Sequence, residues 1–82
     1  MPVPQDPRVH TIIHEARLRF VSDGYAAARI EPIARSAGVS TATLYTFFPS
    51  KVALFEAVIE TAAKDFYDRV GPLLNTQAPD RG

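Results

Sequence analysis

Two histidines at helical spacing, His10 and His14, are the first residues whose chemistry could define a function. A separation of four places both imidazoles on one face of a helix, where they could share a metal ion. The segment HTIIHE, however, does not have the HExxH order of a zinc protease. Because no third ligand accompanies the pair, we expect a solvated face or an adventitious metal site, and no functional metal site.

No other set of side chains in this sequence suggests enzymatic chemistry. There is no Ser-His-Asp order, no glycine-rich phosphate loop and no cluster of carboxylates. We therefore expect a protein that is not an enzyme and that uses no cofactor.

Length and composition limit the class of protein. The chain has 82 residues, of which 46% are apolar and 22% charged, with no cysteine, which fits one small globular domain without disulfides. No apolar run approaches the roughly 18 residues of a membrane-spanning helix, and the start MPVPQDPRVH lacks the apolar stretch of a secretory signal. We therefore expect an intracellular domain with no membrane partner.

The formal net charge of zero conceals a mild asymmetry along the chain. Residues 1–55 carry a net charge of +2, whereas residues 56–82 carry −2. A difference of this size does not by itself decide whether a polyanion is a partner.

Four helices must position any functional residues, because no segment has a strand pattern. Three early prolines predict a frayed arm over residues 1–7, with Asp6 as N-cap and Pro7 at the first helical position. Asp23-Gly24 is expected to end this first helix, since glycine accepts a positive φ. The predicted apolar stripe consists of Val9, Ile12, Ile13, Ala16, Phe20 and Val21.

Two short helices follow in the sequence pattern. Pro32 must lie in the first turn of the second helix, which therefore begins near Glu31 and ends at Gly38. Ser40 is the expected N-cap of the third helix, and the pair Phe48-Pro49 is expected to close it. Leu44 and Phe48 are assigned to the core.

The fourth helix is expected from Lys51 to about Val70, capped by Ser50 and stopped by Gly71-Pro72. Apolar residues cover most of its surface, more than a three-helix cluster can bury. Either another chain covers this surface, or the 82 residues are the front of a longer protein. We favour the second interpretation.

The second and third helices have the spacing of a helix-turn-helix. Ala34 lies four residues before Gly38 and allows close helix approach, while Gly38 can adopt the positive φ of a tight turn. Such a unit can project its second helix into the major groove of DNA. Helix pairs of this kind without a DNA role are also common, so spacing alone leaves both interpretations open.

The run GYAAARIEPIARSAGVSTATLYTFFPSKVALFEAVIE resembles the DNA-binding front of TetR-type transcriptional regulators. Its most specific segments are IARSAGVS and TLYTFFPSK, and the resemblance covers about residues 8–70. It implies an all-α, three-helix head with a helix-turn-helix over residues 8–50, joined to a connecting helix over 51–70. Residues 71–82 would begin an absent C-terminal regulatory domain or form a disordered tail.

The resemblance also implies which residues meet DNA. Thr41, Ala42 and Thr43 lie in the first turn of the third helix, where hydroxyls and methyls can contact base edges. Ser40 either joins them or serves only as the helix cap. Few long side chains with hydrogen-bond donors lie on this helix. We therefore expect few direct contacts to base edges and more dependence on DNA shape.

Other positions match family residues that bind the DNA backbone or flank it. Tyr45 and Lys51 would bind phosphates, while Thr46 and Phe47 lie next on the third helix, with Phe47 expected in the core with an exposed edge. Arg29 stands where the family usually has a capping Ser or Thr, so we expect the cap to be lost and its guanidinium to bind phosphate. Glu31 departs from the family as well and should face solvent or pair with a neighbouring arginine.

The implied function is repression of transcription by sequence-specific binding to double-stranded DNA. A homodimer, formed through the absent C-terminal domain, would read an inverted-repeat operator, and a small-molecule effector in that domain would release it. This would take place in the cytoplasm, at the nucleoid of a bacterium. The alternative is a helical protein-interaction module that uses the apolar face of helix four.

Overall fold

Four α-helices make up the part of the chain that the computed structural model describes, residues 6–77, with no strand in that range. The helices are α1 (Pro7–Asp23), α2 (Ile30–Ala37), α3 (Thr41–Phe47) and α4 (Lys51–Gln77). The predicted all-α class is therefore confirmed over the described residues. Residues 1–5 of the predicted arm and 78–82 of the predicted tail lie outside them.

Local signals define both ends of α1. The Asp6 carboxylate accepts a hydrogen bond of 2.8 Å from the amide of Arg8, and Pro7 occupies the first turn, where its missing N–H costs nothing. At the other end Gly24 has a φ of 82°, and its amide donates to the Phe20 carbonyl. The predicted start and end of this helix are confirmed.

The turn between α2 and α3 depends on the left-handed conformation of Gly38. Its φ is 77° and its ψ 25°, and its amide donates to the carbonyls of Ala34 and Arg35. A Cβ at this position would meet nothing within 4 Å. The glycine is therefore needed for its backbone conformation rather than for space. Ser40 then caps α3 by accepting from the amide of Thr43 at 3.0 Å, as predicted.

The predicted end of the fourth helix at Gly71-Pro72 is wrong. Helix α4 continues through both residues to Gln77. Among the glycines of the described residues only Gly24 and Gly38 have a positive φ, so Gly71 does not form the cap that ends α1 and α2. Proline removes one backbone donor and can kink or end a helix, but α4 is continuous across Pro72.

The core lies where α1 packs against α2 and α4, with α3 resting on α2. Leu44 of α3 and Phe48 after it are buried, which confirms their assignment to the core. Val21 was predicted on the α1 stripe but is 80% exposed, because a one-residue step from Phe20 turns the side chain away from the core. The buried residues are Val9, Ile12, Ile13, Ala16, Phe20, Ala28, Ile33, Ala34, Leu44, Phe48, Leu54, Ala57 and Val58.

Helix α4 extends beyond the other three helices. Its buried residues, such as Leu54 and Val58, all lie in its first turns, and large apolar side chains farther along remain exposed. These are Ile59, Phe66, Tyr67 and Leu73. The wide apolar surface predicted for this helix is therefore left uncovered by the described residues.

No single helix in the described residues is long and apolar enough to cross a bilayer, although Thr41–Phe47 and Lys51–Leu73 together, with a bend of 64° between them, have the length and composition for it.

Burial predicts which leucines hold the fold together. Leu54→Ala removes a completely buried side chain and should lower the free energy of unfolding by about 2–5 kcal/mol. Leu73→Ala makes the same change at a side chain that is 63% exposed and should alter it by less than about 0.5 kcal/mol. Urea denaturation followed by circular dichroism measures both. Equal losses would contradict this description of the core.

The Asp6 cap predicts a pH dependence of stability. Hydrogen bonds from the Arg8 guanidinium and amide lower the pKa of Asp6 to about 2. A carboxyl whose pKa falls on folding stabilises the fold above its unfolded pKa, and this contribution disappears as the pH falls towards 2. Asp6→Asn still caps the helix but cannot ionise. The stability difference between wild type and this variant should therefore shrink between pH 6 and pH 2, and a constant difference would refute the assignment.

Candidate nucleic-acid interface

Helix α3 has one face in the core and the other exposed to solvent. Leu44 is completely buried, while Phe47 is half-buried and packs against the core. On the other side Ala42, Tyr45 and Thr46 are exposed. Thr41 and Thr43 are half-buried. The helix thus presents Ala42, Tyr45 and Thr46 outward from a fixed position, which is the arrangement that insertion into a DNA groove requires.

The hydroxyls of Ser40 and Thr43 form a small network at the start of α3. Ser40 Oγ accepts from the Thr43 amide and donates to Thr43 Oγ1, both at 3.0 Å. The proton of Ser40 is therefore used within the helix, so the structure gives this residue the capping role. Because Thr43 Oγ1 accepts from Ser40, its own proton remains able to bind an acceptor outside the protein.

Thr46 has a different capacity from Thr43. Its hydroxyl donates a hydrogen bond of 3.0 Å to the carbonyl of Ala42, one turn earlier. Towards solvent, Thr46 therefore offers its methyl group and the lone pairs of its hydroxyl oxygen. The oxygen can accept a hydrogen bond from a base amino group, but the hydroxyl cannot donate one to a phosphate.

Tyr45 is 45% exposed on the outer face of α3. Among residues 6–77 no hydrogen bond engages its phenol, so the hydroxyl can bind a phosphate oxygen. This exposure is compatible with the predicted contact, which stays a prediction.

Lys51 begins α4 and contacts the turn between α1 and α2. Its Nζ lies 3.3 Å from the Ala26 carbonyl and 4.6 Å from the centroid of the Tyr25 ring. Ser50 Oγ accepts from the Ala53 amide at 3.1 Å, which confirms the predicted cap. Lys51 is thus the first residue of α4, whose N-terminus favours anions, while its ammonium lies against the turn between α1 and α2.

Arg29 occupies the N-cap position of α2 without making a capping hydrogen bond, as predicted. Its side chain is exposed, and Glu31 also faces solvent. Within residues 6–77, Glu31 forms no ion pair with Arg29 or Arg35. The Arg29 guanidinium is thus not paired with Glu31, which permits the predicted phosphate contact.

One contact of this surface was not foreseen from the sequence. The Arg8 guanidinium lies 5.1 Å from the centroid of the Phe47 ring, while Asp6 binds two of its nitrogens at 2.8 and 3.1 Å. The start of α1 is thereby joined to the end of α3. The two partners are far apart in sequence, and no pattern there indicates that they meet. Phe47 keeps an exposed edge, as expected.

The two histidines are both exposed on α1. Over the described part of the chain no three His, Cys, Asp or Glu side chains are grouped so that they could hold a metal ion.

Comparison with known proteins agrees with this geometry. Residues 12–58 match the family model described as bacterial regulatory proteins, tetR family. The chain is 34% identical over 79 residues to the nucleoid occlusion factor SlmA of Aliivibrio fischeri, covering 94% of this chain and 40% of that protein. It is 35% identical over 79 residues to the HTH-type transcriptional activator FasR of Mycolicibacterium smegmatis, covering 96% and 36%.

A third relative is the HTH-type transcriptional regulator YhgD of Bacillus subtilis, 29% identical over 72 residues, with 88% of this chain and 38% of that protein covered. The chain thus spans about two fifths of the length of these curated relatives. No solved structure matches significantly. Since the family model covers more than half of the chain, this protein belongs to the tetR family of bacterial regulatory proteins.

Proposed function

We propose that this chain is the DNA-binding part of a transcriptional regulator and that α3 enters the major groove of a double-stranded operator. The observation that carries this is α3 itself, which is capped by Ser40, anchored by Leu44 and exposed at Ala42, Tyr45 and Thr46. Family membership supports the same function. The protein would act in the bacterial cytoplasm, at the nucleoid.

The interface divides into base-reading and phosphate-binding groups. Thr41, Ala42 and Thr43 would meet base edges, where the free hydroxyl proton of Thr43 can bind an acceptor. Around them, the phosphate-binding groups would be Arg29, Tyr45 and Lys51. None of the base-reading side chains is long, so we expect much of the specificity to come from DNA shape.

A dimer would place two such heads on an inverted repeat. We assign residues 8–50 to the head and α4 to the connection with a C-terminal regulatory domain that forms the dimer and binds a small-molecule effector. The exposed apolar side chains of α4, Ile59 and Phe66 among them, support a packing partner on that helix. Effector binding would change the separation of the heads and release the operator, which makes repression the expected output. One relative is named an activator. A promoter assay distinguishes repression from activation of transcription.

A second candidate function rests on the same apolar surface. The exposed Phe66 and Tyr67 would serve a helical protein-interaction module equally well. The two functions differ in salt dependence, because DNA binding releases counterions and weakens steeply as salt rises.

Selection of duplexes from a random DNA library tests the proposed function. We expect the complete protein that carries this chain, free of effector, to enrich an inverted repeat whose half-sites are one helical turn or a multiple of it apart. If folded protein enriches nothing at low salt, operator binding is refuted and the apolar face of α4 becomes the surface to study.

Lys51→Ala should weaken binding about equally for all DNA sequences, because a phosphate contact carries no sequence information. The slope of log affinity against log salt should fall by roughly one. Lys64→Ala is the matched control, since this lysine is 76% exposed and pairs with Asp68 on the outer part of α4. Titrations at several salt concentrations measure both. An unchanged slope for Lys51→Ala would remove Lys51 from the phosphate contacts.

A further inference from the structure

The Lys51 ammonium lies in a seat formed by the turn between α1 and α2. The seat consists of the Tyr25 ring, whose centroid is 4.6 Å from Nζ, and the Ala26 carbonyl, which accepts a hydrogen bond at 3.3 Å. We propose that this seat positions the ammonium for a DNA phosphate and that Tyr25 is a positioning residue for DNA binding. The inference rests on the proposed function, because it concerns the same interface.

Two other aromatic rings hold the Tyr25 ring in place. Tyr25 stacks on Phe20 with centroids 5.8 Å apart, and meets Phe55 edge-on at 4.9 Å. Phe20 and Phe55 contact each other at 5.2 Å, so the three rings form a closed set. Phe55 lies one turn after Lys51 on α4. The seat and the helix that carries the lysine are therefore parts of one packed unit.

The backbone of the seat is fixed at both of its ends. Gly24 turns the chain out of α1 with a φ of 82°. Its carbonyl accepts a hydrogen bond of 3.0 Å from the amide of Ala28, whose side chain is buried. The carbonyl of Ala26 lies inside this closed turn, and its position is thereby set before any ligand binds.

The seat leaves the charge of Lys51 uncompensated. Lys64, the other lysine of the chain, forms an ion pair of 3.3 Å with the Asp68 carboxylate. Within residues 6–77 the partners of Lys51 are instead a neutral ring and a neutral carbonyl. An ammonium has three N–H donors, of which one is used by Ala26. The others can bind a phosphate without first giving up a carboxylate.

Positioning matters for lysine because its side chain is long. A free lysine loses rotamer freedom when it binds a phosphate, and this loss opposes binding. The seat removes part of that freedom in the unbound protein. Tyr25 therefore contributes to DNA affinity without touching DNA, and its contribution passes through Lys51.

A double-mutant cycle tests this coupling. Tyr25→Leu, which removes the ring, should weaken operator binding by about twofold to fivefold, the range of an exposed cation–π contact. Tyr25→Phe keeps the ring and should bind like the wild type. In a Lys51→Met background, Tyr25→Leu should have no further effect on affinity. Lys64→Met is the matched lysine control and should bind like the wild type.

The complete protein is used throughout, and a melting temperature shows that each variant is folded. If Tyr25→Leu does not fold, Tyr25→Met replaces it, because methionine adapts to irregular spaces. Equal losses in the wild-type and Lys51→Met backgrounds would show that Tyr25 acts through packing alone and would overturn the inference. A loss in Tyr25→Phe as large as in Tyr25→Leu would overturn it too. If the wild type itself binds no DNA, the proposed function fails instead.

Discussion

Burial of Leu44 is the constraint on which the interface depends. Helix α3 has seven residues, and a helix so short is unstable in water on its own. It persists because the Ser40 hydroxyl satisfies an amide at its start and because Leu44, with Phe48 just beyond, is buried in the core. The outward direction of Tyr45 and Thr46 follows from that anchoring. A surface that is to read DNA must be rigid, and here the Ser40 cap and the burial of Leu44 and Phe48 provide that rigidity.

Helix α1 is the scaffold that holds the separate parts of the interface together. It packs on α2 and on α4, so the groups at the starts of those helices keep a fixed relation. Phe20 at its end belongs to the aromatic set under Lys51, and Arg8 at its start contacts Phe47. The first helix thereby links the start of α4 with the end of α3.

Some cations of the molecule form ion pairs with carboxylates, and others do not. Arg8, Arg17, Arg19 and Lys64 each lie within 4 Å of a carboxylate. Exposed pairs of this kind contribute little to stability, but they neutralise the cations that take part in them. Over the described residues Lys51 is not in such a pair. A chain with no net charge can thus present a local positive site at the start of α4, where a phosphate would bind.

Elements whose signals are local could be predicted from the sequence. The Ser40 cap, the Gly38 turn and the family resemblance of the surrounding run were sufficient for a helix-turn-helix, because capping and positive φ depend on a few neighbouring residues. Gly71-Pro72 gave a false stop, since a glycine ends a helix only when it adopts a positive φ, and its residue type does not dictate that choice. The seat of Lys51 on Tyr25, by contrast, could not be predicted, because it depends on tertiary packing. The two residues meet through the packing of α1 on α4, and contacts across such a separation leave no periodic pattern in the chain.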